Sequence, residues 1–170
     1  MEELQLVTRA RSHGSSVAIR SGTDEWSYDE LLDRSAHLAV ALLADVDDLS
    51  ESRITYLVPA GFDYVSVQWA IWRAGGVAVP LPLSATESEL EYTLTDSQPC
   101  CVVVTAAFAE KTSGLCARLG LQQLIVDEVV ESRDDSPLLP VITNERRAMI
   151  LYTSGTTSKP KGVVTTHANI

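Results

Sequence analysis

The chain has 170 residues, of which 45 % are hydrophobic, and its formal net charge at pH 7 is −10. This length and composition are typical of one globular domain with a hydrophobic core, and they exclude a disordered chain. The acidic balance argues against nucleic acid as a partner, and no apolar run reaches the length of a membrane span.

The ends of helices and strands can be predicted from hydrophobic periodicity and from turn residues. In chain order, the pattern predicts helix formers over residues 4–10, strands over 17–20 and 25–27, a helix over 28–44, a strand over 53–59, a helix over 62–74, a strand over 77–81, a helix over 86–96, a strand over 100–105, a helix over 107–119, and strands over 121–126 and 148–152. The alternation of strands and helices, with short connections, predicts an α/β fold: a mainly parallel sheet with flanking helices.

Several local features refine this prediction. Ser27 and Glu30 have the spacing of a capping box at the start of the 28–44 helix. Residues 45–52 carry four acidic side chains but lack the glycine turn of a calcium loop, so we expect a solvated loop. Residues 131–145, which are charged and contain two prolines, are expected to form an exposed connection.

The cysteines and the first residues bear on redox chemistry and compartment. Cys100, Cys101 and Cys116 are odd in number and lack zinc-ligand spacing, so we expect no metal site, and we expect Cys100 and Cys101 to be buried in a strand. The acidic start lacks the pattern of a signal peptide, which favours a cytoplasmic protein. A mitochondrial or peroxisomal location stays open, because a trimmed leader would leave no trace.

A polar loop at residues 153–162 is the strongest functional signal. It follows the apolar run 148–152, which is expected to be a buried strand, and it combines glycines, small hydroxyl residues and two lysines. Glycine lets backbone N–H groups approach a ligand, hydroxyls donate hydrogen bonds, and lysine brings positive charge, so the composition suits a polyphosphate. The loop is not a Walker A sequence, since it departs from G-x-x-x-x-G-K-[ST] at Pro160 and Gly162. An ordinary solvated surface loop is the alternative on composition alone.

The distribution of charge agrees with an anionic ligand near this loop. Residues 144–170 carry four basic side chains and one acidic one, a local charge of +3, which leaves −13 for the rest of the chain. Such a basic segment on an acidic protein fits a locally bound nucleotide, although chance clustering would give the same pattern.

Residues 152–162 resemble the phosphate-binding signature of the adenylate-forming (AMP-binding) superfamily, [YF]-T-S-G-[ST]-T-G-x-P-K-G. Ten of eleven positions fit, and Ser158 replaces a family glycine. Two further segments resemble family motifs in the family order: 26–31, similar to L-[ST]-Y-x-E-L, and 73–81, similar to [KR]-A-G-[AG]-x-x-x-P-[LVI]. Residues 79–90 resemble malonyl-CoA synthetase-like members.

The resemblance implies an ATP-dependent acyl-CoA synthetase, which converts a carboxylate and ATP to an acyl-adenylate and then to acyl-CoA. ATP, Mg²⁺, coenzyme A and a small carboxylic acid are the implied substrates and cofactors of the full-length parent. Residues 1–170 are expected to be the N-terminal part of the AMP-binding domain, ending after the phosphate loop, with catalytic residues downstream of Ile170 in a missing C-terminal portion. The residues expected to contact the nucleotide are Thr153, Ser154, Gly155, Thr156, Thr157, Ser158, Lys159, Lys161 and Gly162.

Two other readings of the sequence stay open. The chain would be a truncated product without catalysis that binds nucleotide weakly or not at all. It would otherwise be a nucleotide-binding or interaction domain with no ligase activity.

Overall fold

The computed structural model describes residues 4–129, 138–153 and 159–170. The helices are α1 (Gln5–Arg11), α2 (Tyr28–Leu43), α3 (Phe62–Arg73), α4 (Glu87–Ser97) and α5 (Ala106–Leu119). The strands are β1 (Val17–Ser21), β2 (Asp24–Ser27), β3 (Arg53–Leu57), β4 (Val77–Pro80), β5 (Cys101–Val104), β6 (Gln122–Ile125), β7 (Arg147–Thr153) and β8 (Lys161–Thr166).

The main sheet is mostly parallel, which confirms the predicted fold class. In the described part of the chain, its strands lie in the order β6-β5-β3-β4-β7-β8. The first five strands in this order run parallel to one another, and β8 pairs antiparallel with β7. Strands β1 and β2 form a separate antiparallel hairpin.

Helices cover both faces of the sheet, and strand β3 shows why. Its alternate side chains enter two different cores, since Ile54 and Tyr56 pack in a cluster with α1, α2 and α3. Leu57 points the other way and packs with Leu94 of α4 and Leu115 of α5. A strand buried on both faces requires a mostly apolar sequence, as β3 has from Ile54 to Leu57 with Thr55 as its one buried polar residue.

The predicted capping box at the start of α2 is present. The backbone N–H of Glu30 donates to the Ser27 hydroxyl, and the backbone N–H of Ser27 donates to the Glu30 carboxylate at 2.7 Å. Thr86 and Glu89 form the same arrangement at the start of α4. Both boxes satisfy backbone donors that the first turn of a helix leaves without partners.

Residues 45–52 are not simply a solvated loop, because two of their carboxylates bind the arginines that precede and begin β7. Asp48 accepts two hydrogen bonds from Arg146, and Glu51 accepts two from the side chain of Arg147. Arg146 also donates to the carbonyl oxygen of Gly75 at 2.7 Å. Gly75 has φ of +80°, and a Cβ there would lie 2.1 Å from Asp48 Oδ1, so only glycine fits beside this ion pair.

Two burial predictions need correction. Cys100 is exposed and precedes β5, while Cys101 is half-buried, because the strand begins one residue later than predicted. Burial raises the pKa of Cys101 to about 12. The apolar run 148–152 is a strand, but only its first residue, Ala148, is fully buried; Leu151 is 42 % exposed, because the sheet near its β8 edge is only partly covered.

Within the described residues, no helix has the length and apolar character needed to cross a membrane. Of the predicted connection 131–145, residues 138–145 are described and largely exposed, whereas 131–137 lie outside the described residues.

Candidate functional site

The predicted phosphate motif is carried by the β7–β8 hairpin. Strand β7 ends at Thr153, which pairs with Lys161 at the start of β8, and Tyr152 pairs with Gly162. Because β7 is parallel to β4, the motif leaves the sheet at the carboxyl ends of its parallel strands. Ligands of open α/β sheets bind at this edge, so the two strand ends that flank the loop lie where the sequence predicts.

The structure describes four of the nine residues predicted to contact the nucleotide. Thr153, Lys159 and Lys161 are exposed where the loop meets the two strands, and Gly162 is exposed in β8. The remaining five lie outside the described residues: Ser154, Gly155, Thr156, Thr157 and Ser158. Their assignment to nucleotide binding stays a prediction.

Gly162 has a packing role that its sequence motif does not reveal. A Cβ on Gly162 would lie 2.8 Å from Cγ2 of Ile150 and 3.4 Å from Cζ of Tyr152. The bare glycine backbone therefore makes room for two larger side chains on the neighbouring strand. This packing holds the Tyr152 ring close to β8.

Tyr152 is fixed by a carboxylate of α4. Its hydroxyl donates to Asp96 Oδ2 at 2.6 Å. Burial, together with this hydrogen bond, raises the pKa of Tyr152 well above its ordinary range. The phenol is therefore a neutral donor at physiological pH, and it connects the end of β7 to the helix.

The residues after the loop contact the same helix. The hydroxyl of Tyr92 in α4 donates to the carbonyl oxygen of Pro160 at 2.9 Å. The ammonium nitrogen of Lys159 lies 5.5 Å from the centroid of the Tyr92 ring, within the range of a cation–π contact. The rings of Tyr92 and Tyr152 meet edge to face with centroids 6.5 Å apart.

Sequence reasoning did not find Tyr92 and Asp96. Their spacing of four residues places them on one face of α4, and that signal was available. No local pattern indicates that this face packs on a hairpin 56 to 68 residues further along the chain. Only the sheet order, which places β7 next to β4, brings α4 to the motif.

The described residues fit an anionic ligand. Lys159 and Lys161 are both exposed at the carboxyl edge, where two positive charges would favour a phosphate chain. Within residues 4–129, 138–153 and 159–170, no group of three His, Cys, Asp or Glu side chains could hold a metal ion. The described part of the site thus combines the two exposed lysines with the rings of Tyr92 and Tyr152 and the carboxylate of Asp96.

Sequence comparison places these residues among known enzymes. The sequence profile of the AMP-binding enzyme family matches residues 6–170. The mitochondrial malonate–CoA ligase ACSF3 of Mus musculus is 39 % identical over 171 residues, an alignment that covers 95 % of this chain and 29 % of the mouse protein. The chain therefore spans less than a third of the length of this relative.

Comparison with solved structures agrees with the family profile and the sequence relative. Apo MatB from Rhodopseudomonas palustris superposes with a TM-score of 0.84 at 25 % identity, covering 99 % of this chain and 36 % of that one. O-succinylbenzoate coenzyme A synthetase (MenE) from Bacillus subtilis, solved in complex with AMP, gives the same TM-score and identity, covering 99 % and 43 %. Family profile, sequence relatives and fold all agree with the signature at residues 152–162, and this chain belongs to the AMP-binding enzyme family.

Proposed function

We propose that the chain forms the N-terminal, phosphate-binding part of an ATP-dependent acyl-CoA synthetase. The observation that carries the proposal is the position of the family signature: its two lysines lie at the carboxyl edge of a parallel sheet. There they would offset the charge of the β- and γ-phosphates while a carboxylate attacks the α-phosphate. Adenylation of this kind depends on positioning and on stabilising charge.

Malonate is the carboxylic acid we propose as substrate. Its support is the 39 % identity to a mouse malonate–CoA ligase, together with the resemblance of residues 79–90 to that branch. Feruloyl-CoA synthase of Amycolatopsis is 34 % identical over 164 residues, so an aromatic acid is the competing substrate that a test must include.

The remaining components follow from this activity. Coenzyme A would capture the acyl-adenylate, and Mg²⁺, bound to the phosphates, would neutralise part of their charge. A C-terminal portion would complete the site. We propose the cytoplasm as the compartment, with the mitochondrion, for which the ACSF3 relatives are named, as the alternative. Fractionation of cells that express a C-terminally tagged protein decides between the two.

Carboxylate-dependent exchange of labelled pyrophosphate into ATP tests the proposal, measured on the complete translated product that carries this chain. We expect exchange with malonate to exceed exchange with acetate, octanoate and ferulate. Omission of the acid is the control, because exchange that needs no carboxylate is not adenylation. Absence of exchange across this panel would contradict the ligase assignment, and a preference for ferulate would contradict malonate alone.

A parallel measurement on residues 1–170 examines the two alternative readings. Adenylation requires the acyl group and the α-phosphate in near-attack geometry, and we assign no residue of this chain that task. We therefore expect ATP to bind weakly in calorimetry and no malonyl-CoA to form. Turnover equal to that of the complete product would contradict this expectation.

A further inference from the structure

Helix α4 contacts the β7–β8 hairpin, which we call the phosphate hairpin, on both sides of its loop. Before the loop, Tyr152 donates to Asp96 at 2.6 Å, and after the loop, Tyr92 donates to the carbonyl oxygen of Pro160 at 2.9 Å. Tyr92 and Asp96 lie one turn apart on the same face of α4. One face of a single helix therefore holds the two strands' ends at a fixed separation.

The helix that provides this face is itself firmly placed. Its capping box fixes its first turn, and Leu90 and Leu94 are buried in the core shared with α5. Its last turn is also tied to the sheet, because Arg53 at the start of β3 donates to the carbonyl oxygen of Ser97 at 2.7 Å. Tyr92 and Asp96 thus extend from a rigid element toward the hairpin.

Tyr92 also contacts the positive charge of Lys159. The Lys159 ammonium lies 5.5 Å from its ring centroid, while the next residue, Pro160, is held by the Tyr92 hydroxyl. A lysine side chain has many rotamers, and a contact with an aromatic face reduces the number that it populates. The same tyrosine therefore orders the backbone and the cation beside the loop.

We propose that Tyr92 and Asp96 are positioning residues for the triphosphate of ATP. They hold Lys159 and both ends of the motif in the arrangement that receives the phosphates, and they touch none of the reacting atoms. The inference rests on the proposed function, since it requires ATP as the ligand. Side chains and backbone that are ordered before binding lose less entropy when ATP binds. We therefore expect the two residues to increase the affinity for ATP.

This role predicts a specific kinetic signature. An interaction that helps the bound substrate and the transition state equally changes KM and leaves kcat unchanged. Loss of either contact should therefore raise the KM for ATP, with kcat and the KM for malonate close to wild type. A merely structural role would instead lower the melting temperature and affect both substrates together.

The experiment compares pyrophosphate exchange in variants of the complete translated product. Tyr92→Phe removes the hydroxyl but keeps the ring, and it should raise the KM for ATP about three- to tenfold, the effect of one net hydrogen bond. Tyr92→Leu also removes the aromatic face and should raise the KM further. Asp96→Ala should resemble Tyr92→Phe, while Glu91→Ala, which removes another exposed carboxylate of α4, should keep the wild-type KM.

The outcomes separate this inference from the function on which it rests. If wild type exchanges pyrophosphate and neither Tyr92→Leu nor Asp96→Ala changes the KM for ATP, positioning by α4 is wrong and the ligase assignment stands. If wild type shows no exchange, the ligase assignment is wrong, and positioning by α4 is wrong with it. Equal changes for ATP and malonate, with a lowered melting temperature, also overturn positioning. Should Tyr92→Leu fail to fold, Tyr92→Phe decides, because it keeps the packing of the ring.

Discussion

Arg146 and Asp48, 98 residues apart in the chain, form a two-pronged ion pair with N–O distances of 2.7 and 2.8 Å. The pair joins the residue before β7 to the connection between α2 and β3. Because Arg146 also donates to Gly75 after α3, three separate segments meet at one guanidinium. This contact secures the amino end of the strand whose carboxyl end carries the phosphate motif.

Removal of this carboxylate should destabilise the fold. We expect Asp48→Ala to lower the free energy of unfolding by about 1–2 kcal/mol. This value is near the low end of what hydrogen bonds to charged groups contribute, because Asp48 is partly exposed to solvent. Urea denaturation provides the measurement, and Asp47→Ala, which removes the neighbouring exposed carboxylate, is the control. Equal effects of the two variants would show that the ion pair contributes nothing.

The same pair predicts a dependence on acid. The hydrogen bonds from Arg146 lower the pKa of Asp48 below its ordinary value of 3.8. A lowered folded-state pKa stabilises the protein above the unfolded value and loses that effect as the pH falls through the folded value. The difference in free energy of unfolding between wild type and Asp48→Asn should therefore have its maximum value at pH 6 and should decrease below about pH 3.8. A difference that grows in acid would contradict the assignment.

His167 predicts a second pH dependence in a different range. It packs edge-on against Trp72, and burial, followed by the positive charge of Arg146, lowers its pKa from 6.5 to about 4. The unfolded chain binds the proton more readily between these values, so stability should fall as the pH drops from about 6.5 to 4. His167→Gln should flatten the curve of unfolding free energy over this interval. The exposed His13 offers the control variant His13→Gln, and an unchanged slope in His167→Gln would refute the prediction.

Gly162→Ala tests the packing between β7 and β8. Its new Cβ would lie 2.8 Å from Ile150 Cγ2, so a side chain or a strand must move, at a cost of about 1 kcal/mol for an edge strand that can adjust. Gly114→Ala is the matched control, because its Cβ meets open space in α5, where alanine should stabilise by about 0.5–1 kcal/mol. In a protein that already carries Ile150→Ala, the added Gly162→Ala should cost much less free energy of unfolding than it does in wild type. Additive effects of the two changes would exclude a clash.

Lys161→Ala tests the chemistry of the motif. Loss of one charged hydrogen-bond donor should slow adenylation about tenfold to a hundredfold in the complete translated product. The melting temperature should stay near wild type, because an exposed lysine contributes little to stability. Lys111→Ala, in α5, is the control for charge removal. A wild-type rate for Lys161→Ala at limiting ATP would show that this lysine does not stabilise phosphate charge.

Periodicity was a sound guide to helices and strands. The α2 boundaries and its capping box are local properties, so residues 27–43 contain the information that determines them. The edge of the sheet at which the phosphate motif lies also followed from the sequence, since a parallel strand fixes where its following loop emerges.

Contacts between distant segments could not be predicted in this way. The pairing of Asp48 with Arg146 depends on β7 lying beside β4, and the sequence contains no local sign of that neighbour. Tyr92 was missed for the same reason, although its helix was predicted. The exposure of Leu151 was also missed, because an apolar run predicts a buried strand whether or not a helix covers that part of the sheet.

The sheet order also has a consequence for how the protein is made. Strands β3 to β6 follow one another along the chain and can assemble as they leave the ribosome, but β7 joins β4 through a contact between Ala78 and Met149. Closing a loop of this length is slow, and the β4 edge stays without its partner until synthesis has passed β7. An unpaired central edge can template pairing with another chain. The nascent protein should therefore be most prone to aggregate, and most dependent on chaperones, in the interval between the emergence of β6 and the docking of the phosphate hairpin.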